Sequence, residues 1–230
     1  MNLRSGRLTC RGKLALVLIT MAVFCVVLVV SDDNEIALVL GEPWEEMRKR
    51  SSAIISPALS GYRWGLSPKT DARLKFVDEQ YGFVTPVGDF FIVTFEHEKV
   101  VSAVIYPQTQ PLLIDDAFEV VLGIQQQFKF GGWFPIYPTD NPPFADTPEW
   151  RIKVRDAKNG QRTYWQAGEK YQVKLSFNRF KDNAHPDQER YKIILDVSGV
   201  WMPSEAELDN ITLKPYLCKK PCSKEIMESF

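Results

Sequence analysis

Four cysteines and two histidines among 230 residues are few, and neither sign of charge dominates, with 28 lysines and arginines against 29 aspartates and glutamates. The apolar content, 45% of residues, is enough to bury a core and excludes intrinsic disorder. Thirteen glycines and fifteen prolines, without a period, exclude collagen-like structure. The chain has no G-x-S-x-G elbow, no H-E-x-x-H, no phosphate loop and no dinucleotide fingerprint. Serine-histidine-aspartate chemistry needs a histidine placed to deprotonate a serine. His97 lies in Glu96-His97-Glu98 and His185 in Asn183-Ala184-His185-Pro186, and both read as solvated turn residues. There is no internal repeat and no low-complexity tract, and no cofactor or metal is expected.

What the chain does have is one long apolar run. From Leu14 to Val30 every residue but Thr20 is apolar, about 25 Å of helix and within the range that crosses a bilayer. Arg4, Arg7, Arg11 and Lys13 precede the run, while Asp32, Asp33 and Glu35 follow it. That asymmetry keeps the N-terminus in the cytoplasm and exports the rest. No small-residue cleavage pattern follows Val30, so the segment reads as an uncleaved anchor. Phe24 before Cys25 argues against lipoprotein processing. The expected organisation is a basic cytoplasmic tail at 1–13, a transmembrane anchor at 14–31, a tether at 32–42 and an exported domain at 43–230. Cys218 and Cys222, spaced as Cys-Lys-Lys-Pro-Cys, are the exported cysteines, and an oxidising compartment would let them close a small local disulfide loop. A redox pair would show C-x-x-C, and zinc would need two more ligands from a domain whose histidines are His97 and His185.

In the exported part, Pro43 opens a predicted helix over Trp44 to Ile55, with acids early and bases late as the macrodipole prefers. Residues 56–71 read as loop. Strands are expected at Leu74–Val77, Phe83–Thr85, Phe90–Phe95 and Lys99–Tyr106. Phe90-Phe91-Ile92-Val93 is apolar on both faces, the pattern of a strand covered on both sides. Asp115 is placed to cap a second helix that runs through Phe128 to Gly131-Gly132. Trp150, Ile152 and Val154 alternate with Arg151, Lys153 and Arg155; Tyr171, Val173, Leu175 and Phe177 alternate with Lys170, Gln172, Lys174 and Ser176; and a third strand carries Tyr191, Ile193, Leu195 and Val197. These read as antiparallel strands with one wet face, the first two joined near Asn159-Gly160 and the latter two by the charged loop Asp182–Gln188. The expected fold class is α+β, an N-terminal transmembrane helix followed by one exported domain of two helices against antiparallel sheet.

Two features carry functional expectations. Residues 131–149 form a long connection with five prolines and the aromatics Trp133, Phe134, Tyr137 and Phe144, a length associated with functional loops. Rigid aromatics are good anchors for a partner, so Trp133, Phe134, Tyr137, Asp140, Phe144 and Asp146 are the candidate partner-binding residues. The alternative is that these rings pack the loop onto the sheet. Second, residues 76–149 carry eleven acids and two lysines, a sum of −9, while 150–192 carry eleven bases and five acids, a sum of +6. If the two segregate, the acidic side would steer a basic partner; the bases of 150–192 alternate along strands as ordinary wet-face residues, so nucleic acid is not an expected partner. Asn210-Ile211-Thr212 matches a glycosylation acceptor in a eukaryotic host.

Pro43-Trp44-Glu45-Glu46-Met47-Arg48-Lys49-Arg50-Ser51-Ser52, Phe144-Ala145-Asp146-Thr147-Pro148-Glu149-Trp150-Arg151 and Thr163-Tyr164-Trp165-Gln166-Ala167-Gly168 resemble phrases of single-anchor envelope proteins of Gram-negative bacteria. Some of those are similar to periplasmic immunity proteins encoded beside type VI secretion lipase effectors. The resemblance implies an inner-membrane protein whose periplasmic domain binds and neutralises an envelope-acting toxin; it assigns no role to any residue. The alternatives are an anchored hydrolase acting on glycan or lipid through Asp115, Asp116, Asp140 or Asp146, and a structural component of an envelope complex. At a helix start, Asp115-Asp116 is expected for helix stabilisation alone.

Overall fold

In the computed structural model, the described residues are 34–57, 64–66, 68–156 and 160–203. The apolar run 14–30, Cys218, Cys222 and Asn210 lie outside them, and among the described residues no helix is long and apolar enough to cross a membrane. The chain divides into residues 1–33 and 34–230, and every described residue belongs to the second unit.

Ten strands and three helices are described: β1 (Glu35–Leu38), α1 (Trp44–Arg50), β2 (Trp64–Leu66), β3 (Arg73–Phe76), β4 (Phe83–Val84), β5 (Phe90–Glu96), β6 (Lys99–Tyr106), α2 (Ile114–Phe130), β7 (Phe134–Ile136), α3 (Pro148–Asp156), β8 (Gln161–Ala167), β9 (Tyr171–Phe180) and β10 (Arg190–Gly199). The fold is α+β. A three-stranded sheet runs β1-β3-β4, and a seven-stranded one runs β2-β5-β6-β10-β9-β8-β7. The large sheet is antiparallel throughout, so one of its faces can be wet.

Its inner face is dry. Tyr191, Ile193, Leu195 and Val197 of β10 and Val173, Leu175 and Phe177 of β9 are fully buried, each aliphatic or phenyl side chain worth roughly 1.5–3 kcal/mol when removed from water. Against them α2 lays Phe118, Val121, Ile124 and Phe128, with Phe118 edge-on to Phe177 at 5.0 Å between ring centroids. The small sheet joins the same core, Phe83 meeting Phe128 at 5.1 Å. Trp44 of α1 packs on Phe95 at 4.6 Å. Helix α2 ends where Gly131 is still right-handed and Gly132 turns left-handed at φ 80°, the backbone state in which glycine carries no side-chain clash.

Several expectations are corrected. Residues 35–38, assigned to a tether, form β1, parallel to β3, with Ile36, Ala37 and Leu38 buried. The first helix is shorter than expected, ending at Arg50, because the Ser51 and Ser52 hydroxyls turn to accept the N–H groups of Ala37 and Glu35 and cover the edge of β1. Within the expected loop 56–71, β2 pairs with β5. Trp150–Val154 is helix rather than strand: Trp150 and Val154 are buried while Ile152 is 65% exposed, and a spacing of four suits a helix face as well as alternate strand positions. Thr147 accepts the Trp150 N–H at 3.3 Å and Pro148 takes the first turn, a helix start. The strand paired with β9 is instead β8, at 161–167. Asp115 does not cap α2; Leu113 holds the cap position, with no side-chain bond. Three helices, not two, therefore accompany the sheets.

Candidate functional site

The outer face of the large sheet is the candidate site. Directly opposed residues on neighbouring strands share a face, and the register sets out one row as Ile92, Val104, Asp196, Lys174 and Tyr164, across β5, β6, β10, β9 and β8. A neighbouring row holds Phe90 opposite Tyr106, and Ile194, Ser176 and Arg162. Lys192 stands opposite Asn178 beyond it. None of these side chains is buried; Phe90 and Ile92 are 36% and 37% exposed. Among the described residues, the strand expected to be covered on both faces is covered on one: Phe91, Val93 and Phe95 point into the core, and Phe90 and Ile92 point out.

Aromatic and aliphatic groups occupy the β5–β6 side of this face. Phe90 and Tyr106 rings lie 4.4 Å apart. Toward β9 and β8 the face becomes cationic. Lys192 Nζ sits 4.2 Å from the Phe180 ring centroid and 5.5 Å from that of Tyr106, a placement in which the ring faces attract the ammonium. Lys174 Nζ reaches Asp196 Oδ2 at 3.1 Å, a half-buried pair. Arg162 is exposed and makes no ion pair among the described residues. Three cations, Arg162, Lys174 and Lys192, therefore stand against the single carboxylate of Asp196 on these rows.

One end of the face is bounded by the chain leaving β10. Gln172, fully buried although on outer-face parity, accepts the N–H groups of Trp201 and Met202 at 3.0 and 2.9 Å and donates to the Met202 carbonyl and to Gln166 Oε1, both at 2.9 Å. Tyr137 donates its hydroxyl to the Pro203 carbonyl. The returned segment leaves an open groove of about 400 Å³ over the Lys174–Asp196 pair, walled by Val101, Ser102, Ser198 and Trp201. Val200 and Trp201, 46% and 43% exposed, extend the apolar surface.

The residues expected to bind a partner divide into two groups. Trp133 is 4% exposed, donates its indole N–H to the Tyr81 carbonyl at 3.0 Å and lies 5.2 Å from the Phe128 ring. Phe144 is 3% exposed and packs on Trp150 and Phe177 at 5.1 and 5.8 Å. Both are core groups, so the packing alternative holds for these two rings. Phe134, on edge strand β7, is 46% exposed, Tyr137 is half-buried, and Asp140 and Asp146 are exposed.

The acids weighed for catalysis are dispersed in role. Arg151 binds Asp146 through Nε at 2.6 Å and Nη2 at 2.9 Å, and Asp115 through Nη1 at 2.6 Å. The guanidinium hydrogen bonds hold the Asp146 carboxyl below the usual carboxylate range and push Arg151 up. This fastens the loop to the first turn of α2 and neutralises acids of 76–149 with a base of 150–192. Asp116 lies with Glu119 along a groove of about 350 Å³ between α2 and Pro86, and Asp140 stands exposed in the loop. His185 pairs with Asp182 at 2.8 Å in the β9–β10 hairpin, while His97 and Glu98 form the β5–β6 turn with φ of 49° and 62°. No cluster of metal ligands occurs among the described residues.

The face was partly legible in advance. Lys174 and Lys192 lie at wet positions of the expected alternating strands; what escaped detection was the strand that carries Arg162, and that Phe90 and Ile92 share that wet side. No family model, no curated protein and no solved structure matches this chain.

Proposed function

We propose that this chain is a membrane-anchored exported protein that works without catalysis, by binding another protein on the outer face of its seven-stranded sheet. The observation that carries this reading is the pair of adjacent aromatic and aliphatic rows, Phe90 with Tyr106 and Ile92 with Val104, on a face that no helix or second sheet covers among the described residues. An exposed apolar patch rimmed by polar groups is the usual mark of an interaction surface. Engagement of Asp115 and Asp146 by Arg151 supports an attachment role for those acids rather than the anchored-hydrolase alternative. The anchor rests on the run 14–30 and its flanking charges, and the inner-membrane, periplasmic location rests on the anchor and the resemblance. Immunity against an envelope-acting type VI secretion effector is the form of binding that the resemblance implies, and service in an envelope complex is the other.

The experiment is affinity capture of the full chain from solubilised envelope, compared with Ile92→Asp. A stoichiometric partner retained by the parent chain and lost from Ile92→Asp, with thermal unfolding unchanged, is the expected result. Absence of any stoichiometric partner, or equal retention by Ile92→Asp, overturns the reading.

A further inference from the structure

We infer that the outer sheet face recognises an acidic protein surface, one that sets an apolar centre against the β5–β6 side and carboxylates against β8, β9 and β10. The inference rests on the protein-binding reading above and adds the chemistry of the partner. It reverses the sign expected from the chain's charge segments, because two acids of 76–149, Asp115 and Asp146, are taken up by Arg151, while other bases of 150–192 stand on the sheet.

The charge on the face is specific in place. Arg162, Lys174 and Lys192 lie on adjacent rows of β8, β9 and β10, and Asp196 is the carboxylate among them. Lys192 is held over Phe180 and Tyr106 by its aromatic contacts, so its ammonium is positioned in advance and loses little freedom on pairing. Asp196 already neutralises Lys174, leaving Arg162 and Lys192 as the cations to be matched. A second copy of this chain presenting the same face would bring like charges together, which costs affinity. A nucleic acid would need a run of phosphate contacts, and Arg162 and Lys192 alone, with Lys174 already paired to Asp196, do not make one. A carboxylate-rimmed apolar protein surface matches both halves.

The test uses the full chain in detergent and four defined probes: a twelve-residue peptide alternating Glu with Leu and Phe, its Lys counterpart, phosphatidylglycerol vesicles and a single-stranded oligonucleotide. Acetylation of individual lysines is read by mass spectrometry. The expected result is that the acidic peptide slows acetylation of Lys192 and leaves Lys99 and Lys129 unchanged, with the other probes ineffective at equal charge. Arg162→Gln combined with Lys192→Met, which keeps the stem over Phe180, should weaken the acidic peptide by at least about tenfold. Protection of Lys192 by vesicles or oligonucleotide in place of the peptide overturns the inference, as does unchanged peptide affinity in the double variant. The two readings fail differently. A captured partner that Ile92→Asp loses but the double variant keeps would sink the acidic chemistry alone, whereas no captured partner at all would sink protein binding itself.

Discussion

Single side chains in this molecule often stand in for backbone. Gln127 both accepts from the Val84 N–H and donates to the Val84 carbonyl, at 2.9 Å each, closing the free edge of β4. Gln125 does the same for Phe144 at 2.8 and 2.9 Å. A glutamine amide offers one donor group and one acceptor in the geometry of a peptide bond, and nothing in the run Gln125-Gln126-Gln127 announces that use. Trp133 was legible as important but not as buried. Trp133→Ala should destabilise the fold by about 3–5 kcal/mol, seen as a lowered urea midpoint; an unchanged midpoint would mean the ring is not core. Asp78 supplies a pH test. Burial opposes its ionisation, but the N–H groups of Tyr81 and Gln80, the Tyr171 hydroxyl and Lys170 outweigh it and hold its carboxyl below the ordinary value. A depressed folded pKa contributes stability above the unfolded value of about 3.9, and that contribution is lost as pH falls through the folded pKa. Asp78→Asn should therefore lower the unfolding midpoint at pH 6 and converge on the parent protein in strong acid. A difference that persists undiminished in strong acid would refute the assignment.

At the scale of elements, periodicity located most strands and one face of each. In β10, and in β9 beyond the buried Gln172, the alternation of apolar and polar residues matches burial, since one side is core and the other solvent. The failures came where one pattern served two structures. Trp150, Ile152 and Val154 fit a strand, and only Ile152 separates the alternatives, being inward in a strand and outward in the helix that forms. Ile152→Ser should accordingly change stability by no more than about 0.5 kcal/mol, while Val154→Ala should cost about 0.5–2 kcal/mol for the lost buried methyls. Equal costs in thermal unfolding would argue for the strand. Gly88 makes a second test at this scale, because an added Cβ would fall 1.9 Å from the Tyr106 carbonyl oxygen, where the chain forms a bridge to Ala72. Gly88→Ala should loosen that crossing and speed hydrogen exchange at the Ala72 N–H, which bonds to the Gly88 carbonyl at 3.0 Å. Unaltered exchange would show that the bridge tolerates the methyl.

For the molecule as a whole, the proposed partner sets the expectation for ionic strength. Association through Arg162 and Lys192 should slow as salt rises, while dissociation changes less, since screening acts mainly on the encounter of separated charges. Stopped-flow measurement with the captured partner checks this, and an association rate indifferent to salt would contradict a cationic face. By itself the sequence determined the apolar run with its flanking charges, the α+β class and the dry side of the long strands, because these follow from local composition and from a period of two. It also placed Lys174 and Lys192 on the wet side of their strands, though not Arg162, whose strand it missed. Only the tertiary structure decided that Trp133 and Phe144 belong to the core, that Arg151 joins the nearby Asp146 to the distant Asp115, and that Phe90 and Ile92 lie on the same open surface as those cations. The first two depend on which helices and loops pack together, and the last on which strand pairs with which, a pairing that joins residues up to about a hundred positions apart, beyond the reach of any local pattern.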